Sequence, residues 1–262
     1  MMPAVTNDTP APENSPSRGV YLLPNLLTTG CLFSGFYSIV AAIDTNFAFA
    51  GGAIFIAMLF DGLDGRVARW TRTESPFGKE YDSLADMVAF GVAPAVLVYQ
   101  WGVIRISEYG DKWRQFGWVV AFFYAACVAL RLARFNARSS GGDKRYFEGL
   151  PSPSGAATVG AFVWFFAKWR EPGLPGLVLA FAVTGYAAAL MVSSFSYLSL
   201  KQIDVGKRVK YSYFAFVIPL MLFLICLDPP TMLFAMFISY ATYGPVQWLA
   251  RKLRRPRTAV GG

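Results

Sequence analysis

The chain has 262 residues, 55% of them apolar and 15% charged, with a net charge of +8 and a mean hydropathy of +0.41. Soluble domains carry about 25% charged residues, so most of this chain is built for a lipid solvent. It has no histidine, which excludes Ser-His-Asp catalysis, histidine zinc sites and imidazole base chemistry. Its three cysteines, Cys31, Cys127 and Cys226, lie far apart in apolar runs, which argues against a disulfide framework or a thiolate metal site.

Residues 1–18 hold Pro3, Pro10, Pro12 and Pro16 and little apolar content. Without a basic start and a compact apolar run they read as a disordered tail, not a targeting signal. Residues 19–253 read as one integral membrane domain, and 254–262 as a basic C-terminal tail. A membrane-spanning helix needs about 20 mostly apolar residues. Candidate spans run over 22–43, 47–64, 82–104, 116–134, 156–169, 174–194, 213–227 and 232–249. The fifth is short and the seventh marginal, and both could be tilted. The longest polar insert is 136–154. The expected fold class is all-α, a polytopic transmembrane helix bundle of about eight spans.

Eight spans place both termini on one side of the membrane. Of the 24 Lys and Arg residues, only Arg105, Lys112, Arg114, Lys168 and Arg170 fall on the opposite side. This bias predicts a cytoplasmic location for both termini. It also accounts for the positive net charge without nucleic acid, with anionic membrane lipids as the natural partner.

Charges near membrane spans are costly, and those that persist usually serve function. Four aspartates stand at the ends of two consecutive spans. Asp61, Asp64, Gly65, Ala68 and Arg69 share an arc of about 140° at 100° per residue. Gly78, Asp82 and Asp86 are spaced four apart and line one stripe. A short loop containing Pro76 joins the two helices, so they should run antiparallel and bring the four carboxylates to one point. Such a cluster repels itself unless hard divalent cations neutralise it. All-oxygen ligands suit Mg2+, Mn2+ or Ca2+ rather than zinc. The glycines and Ala68 leave a groove in which a ligand can approach the backbone.

The complete pattern D-x2-D-G-x2-A-R-x8-G-x3-D-x3-D, formed by Asp61, Asp64, Gly65, Ala68, Arg69, Gly78, Asp82 and Asp86, resembles that of the CDP-alcohol phosphotransferases. Within that family, four further segments are similar to the membrane-embedded phosphatidylserine synthases. They are Phe90-Gly91-Val92-Ala93-Pro94-Ala95, Pro24-Asn25-Leu26-Leu27-Thr28, Arg131-Leu132-Ala133-Arg134-Phe135-Asn136 and Phe147-Glu148-Gly149-Leu150-Pro151-Ser152-Pro153. The resemblance covers most of residues 22–200 and is weakest over the last two spans. The peripheral class of serine synthases, which uses histidine, is excluded by composition.

The resemblance implies a transmembrane bundle that takes a CDP-linked lipid, CDP-diacylglycerol, as donor, passes its phosphatidyl group to L-serine and releases CMP. It implies that Asp61, Asp64, Asp82 and Asp86 bind divalent metal, Mg2+ or Mn2+, and that Asp86 is also the general base. It implies that Gly65, Ala68 and Gly78 make room for cytidine beside Arg69, and that the enzyme is a homodimer. Asn25 and Thr28 could hydrogen-bond the nucleotide or cap a helix. Arg131 and Arg134 could bind pyrophosphate or the serine carboxylate, or be interfacial charges; Lys144 and Arg145 share that reading. Ser152 sits in a Gly-Pro-rich stretch that could cover the site or simply connect spans. The rival acceptors are choline, inositol phosphate and glycerol phosphate. A divalent-cation transporter is the rival of a different class, but its polar groups would cross the bilayer midplane, and these acids gather at one face.

Overall fold

The computed structural model describes residues 22–106, 111–138, 146–167, 173–198 and 211–254. The expected N-terminal tail, all but Arg254 of the C-terminal one, and Lys144 and Arg145 lie outside the described residues.

Long apolar runs become long helices, in chain order α1 (Leu22–Ile43), α2 (Phe47–Thr71), α3 (Pro76–Asp86), a π-helical turn (Met87–Val92) and α4 (Ala93–Ile106). Then follow α5 (Asp111–Arg138), a short strand β1 (Tyr146–Glu148), α6 (Ser152–Ala167) and α7 (Gly173–Val192). A second strand β2 (Ser196–Leu198), α8 (Tyr211–Leu227) and α9 (Pro229–Arg254) complete the described elements. Among the described residues, the only regular structure besides helix is the antiparallel ribbon β1–β2, which pairs Phe147 with Tyr197 and which the all-α expectation did not contain. α3, the π turn and α4 form one continuous rod, so the described helices form eight rods, at the places where the sequence offered eight candidates.

Five of these rods are long and apolar enough to cross a membrane: 22–43, 47–71, 76–102, 114–137 and 173–192. The fifth candidate span behaves differently. α6 has 16 residues, and all of those from Ser154 to Val163 are buried. It is the centre of the bundle, packed against α2, α7 and α9. Its Gly155, Ala156, Ala157, Gly160 and Ala161 let neighbouring backbones come close, as small residues do in membrane bundles. Hydropathy reads such a helix alike whether its neighbours are lipid or protein, because both are about equally apolar.

α2 closes with Arg72 in the left-handed region (φ 52°), and the Thr73 N–H reaches back to Ala68 O. Ser75 then caps α3, its side chain accepting from Gly78 N, and Pro76 takes a first-turn position where no N–H is needed. α1 packs along both α2 and α3. At Gly35 a Cβ would stand 2.5 Å from the Ala89 backbone, so this glycine lets α1 lie directly on the π turn.

A proline follows the π turn. Pro94 has no N–H to give to the carbonyl four residues back, that of Phe90. The buried Tyr124 hydroxyl of α5 donates to that oxygen at 3.1 Å instead. Tyr124→Phe should remove a hydrogen bond from a buried carbonyl, at a cost of about 1 kcal/mol. We expect the thermal midpoint of the purified protein to fall by several degrees; an unchanged midpoint in a melting scan would reject this role for Tyr124.

Candidate active site

Asp61, Asp64 and Asp82 each place a carboxylate oxygen within 4.8 Å of the others. The first two come from the end of α2 and the third from α3, so the turn at Arg72–Ser75 builds the cluster. Asp64 is buried and accepts a 2.7 Å hydrogen bond from Thr28 of α1. The site therefore rests on three helices rather than the two that carry the acids. Asp86 stands one turn beyond Asp82, at the entry to the π turn. The four-way convergence expected from the spacing is thus three carboxylates together and a fourth beside them. The Asp86 Oδ1 atom is buried and has no hydrogen-bond partner among the described residues.

Three carboxylates this close form an all-oxygen donor set of high negative charge. That chemistry fits a hard divalent cation, and the unpartnered Asp86 oxygen beside it fits a further ligand or a proton acceptor. Half-exposed Gly65 lies under the Arg69 guanidinium, whose Nη1 would be 3.7 Å from a Cβ added there. Arg69 is exposed at the open end. At Gly78 a Cβ would meet Ser75 Oγ at 3.1 Å and the Asn25 amide oxygen at 3.6 Å. Asn25, Gly78, Thr28 and the acids are thereby one neighbourhood. Ala68 lies on the same half-buried stretch of α2.

The other wall is α5. Its Asn136 amide donates to Ser83 Oγ at 2.9 Å, next to Asp82, and Tyr124 holds Phe90 on the other side of Asp86. Between them Arg131 lies close enough to Asp86 for their charges to interact. The Arg131 Nη1 donates to Ser152 Oγ at 2.8 Å, while its buried Nε has no hydrogen-bond partner among the described residues. Ser152 itself is buried. Arg134 points elsewhere: its two terminal nitrogens each lie 3.4 Å from a carbonyl at the end of α7, those of Val192 and Met191. These are long bonds to the carbonyls a helix leaves unpaired at its C-terminus.

Sequence reasoning did not find Tyr124 or the Thr29–Tyr81 pair, whose hydroxyls share a hydrogen bond at 2.9 Å between α1 and α3. It gave Asn136 no role. Pro94 was the available signal for Tyr124, since a proline in a helix frees a carbonyl that must find another donor.

The family model described as CDP-alcohol phosphatidyltransferase matches residues 21–193. A relative from Helicobacter pylori (strain ATCC 700392 / 26695) named CDP-diacylglycerol–serine O-phosphatidyltransferase is 35% identical over 237 residues, covering 89% of this chain and 94% of its own length. One of the same name from Mycobacterium tuberculosis (strain ATCC 25618 / H37Rv) is 34% identical over 247 residues, 89% of this chain and 83% of the relative. An archaetidylserine synthase from Methanothermobacter thermautotrophicus is 37% identical over 177 residues, 67% of this chain and 69% of the relative.

Proposed function

Because this chain belongs to the CDP-alcohol phosphatidyltransferase family, we propose that it transfers the phosphatidyl group of CDP-diacylglycerol to the hydroxyl of L-serine, giving phosphatidylserine and CMP. The names of the relatives support serine as acceptor. The observation in the site that carries the assignment is the pair of unpartnered buried polar atoms beside the aspartate triad, Asp86 Oδ1 and Arg131 Nε. A zwitterion supplies what such a pair lacks: a carboxylate for the guanidinium, and an ammonium and a hydroxyl for the carboxylate.

In this reading Asp61, Asp64 and Asp82, with Asp86, hold Mg2+ or Mn2+. Bound metal would neutralise the pyrophosphate oxygens as the anhydride breaks. Gly65, Ala68 and Gly78 leave room for the cytidine, Asn25 and Thr28 border it, and Arg69 screens the phosphates at the open end. Thr28 fixes the Asp64 carboxylate. Arg131, supported by Ser152, orients the serine carboxylate. Asp86 accepts the serine hydroxyl proton as that oxygen attacks the lipid-side phosphorus, and CMP departs with the bridging oxygen. Arg134 can exchange its long bonds to α7 for an anion, and Lys144 and Arg145 remain further candidates for the same charge.

We infer the wider setting from the spans, the charge bias and the family resemblance. The protein crosses the inner membrane about eight times as a homodimer, with both termini and the site facing the cytoplasm, where CTP-derived donors and serine are available. The donor's acyl chains stay in the bilayer, which is why a transferase for so small an acceptor is built of membrane helices.

The acceptor panel tests the proposal. Choline calls for an aromatic cage, and glycerol phosphate or inositol phosphate for a second basic cluster. The described residues around Asp86 offer one buried arginine. We expect kcat/KM for L-serine at least about tenfold above those of choline, glycerol phosphate and inositol phosphate, a gap of about 1.4 kcal/mol. CMP release with inositol phosphate and none with serine would overturn the acceptor and leave the family intact. Arg131→Lys, which keeps the charge but loses the planar fork, should raise the KM for serine about tenfold.

A further inference from the structure

α9 carries Pro245 within its span. A proline there removes the N–H that would pair with the carbonyl four residues back, that of Ala241. The hydroxyl of Tyr197, on β2, donates to that oxygen at 2.9 Å, and Tyr197 is fully buried. Its ring lies where a side chain on Gly244 would be: a Cβ there would stand 2.5 Å from the Tyr197 ring. Tyr240 lies against the same ring at 5.6 Å, and Phe195 meets Trp248 edge-on at 5.7 Å. Glycine, proline and the freed carbonyl thus make a notch in α9 that one tyrosine fills and satisfies.

The ribbon anchored in this way leads into the site. β2 pairs with β1, and β1 runs directly into Gly149. Gly149 has φ +81°, and a Cβ there would press to 2.4 Å on Met191 O, so no other residue fits. Its N–H donates to Phe195 O at 2.8 Å, and the N–H of Leu150 to Leu190 O at 3.0 Å. Two residues on, Ser152 takes the hydrogen bond from Arg131. Tyr197, Gly244 and Pro245 all lie beyond residue 193, where the family match ends. The alignments to the serine-named relatives, at 237 and 247 residues, are too long to be contained in that match. The notch therefore lies outside the segment that the family model describes and within a region that the alignments to serine-named relatives extend into.

We propose that Tyr197 is a positioning residue for the acceptor: seated in the notch of α9, it holds the ribbon and the Gly149–Ser152 loop so that Ser152 sets Arg131 beside Asp86. This rests on the acceptor reading given above. A side chain acting only on the fold would change stability or the amount of active protein. A positioning residue changes the KM for one substrate.

The test uses the purified full-length protein with CDP-diacylglycerol in mixed micelles, following CMP release against serine and against donor. Tyr197→Phe removes one hydrogen bond and should raise the serine KM about fivefold, with kcat and the donor KM within about twofold of wild type. Gly244→Ala, which pushes the ring out of the notch, should move the serine KM in the same direction. Adding Pro245→Ala to Tyr197→Phe returns an N–H to Ala241 O. It should restore the thermal midpoint and leave the serine KM raised. A serine KM unchanged in both Tyr197→Phe and Gly244→Ala, or restored by Pro245→Ala, or a donor KM that rises equally, overturns the proposal. If Arg131→Lys moves the serine KM and the two notch variants do not, the notch role alone falls. If Arg131→Lys does not move it either, the acceptor reading falls as well.

Discussion

Asp86→Asn should lower kcat about a thousandfold while the donor KM changes by less than about fivefold, within the range expected for loss of a general base. The substitution keeps the shape of the side chain and one oxygen, so neighbouring packing and part of any metal coordination survive. What it removes is the ability to accept a proton. Asp86 is suited to that task by position: it lies outside the close triad, its Oδ1 is buried and without a hydrogen-bond partner among the described residues, and the π turn that follows it is gripped through Phe90 by Tyr124. Steady-state CMP release, with the donor KM measured in parallel, checks this. Near-normal turnover in folded Asp86→Asn would remove Asp86 as the base.

Asp64→Ala and Asp82→Ala should each abolish turnover, with a loss of about 10^4-fold or more. Each takes one oxygen donor from a triad whose members lie within 4.8 Å of one another. Three of the four proposed ligands remain, but Mg2+ demands near-ideal octahedral geometry and the altered set no longer provides it. Raising Mg2+ or Mn2+ should therefore recover little activity. Thr28→Val separates the carboxylate from its support: it keeps the acid and loses the 2.7 Å hydrogen bond. We expect it to weaken metal activation several-fold without abolishing turnover. A metal titration of CMP release on all three variants, with melting scans to confirm folding, reads both effects. Substantial activity in Asp64→Ala at ordinary metal concentrations would remove the triad from the reaction.

The parts of the site that could be read in the sequence are those built by local geometry. Asp61 and Asp64 share a helix face because they are three apart, and Asp82 and Asp86 share one because they are four apart; the Pro76 turn then brings Asp82 to the α2 acids. Thr28 was singled out for the nucleotide, yet its partner Asp64 is 36 residues away, and no periodicity encodes that. The same holds for Tyr124 and Phe90, and for the ribbon, whose strands of three residues are too short to show an alternating pattern. The burial of α6 at the centre of the bundle could not be read, because hydropathy does not distinguish lipid neighbours from protein ones. Arg134 illustrates a different limit. An arginine near the end of a helix reads equally as an anion ligand or as a partner for stray carbonyls, and only the end of α7, nearly 60 residues later, reveals the second.

If the aspartate site on α2 and α3 moves a phosphatidyl group from CDP-diacylglycerol to serine, CMP and phosphatidylserine must form together. The most direct measurement follows both products at once, using the purified full-length protein, CDP-diacylglycerol and labelled L-serine, with and without a divalent-metal chelator. One CMP should form for each labelled phosphatidylserine, and neither product once the metal is withdrawn. CMP formed without labelled lipid, or full synthesis of labelled lipid under exhaustive chelation, would contradict this role of the site.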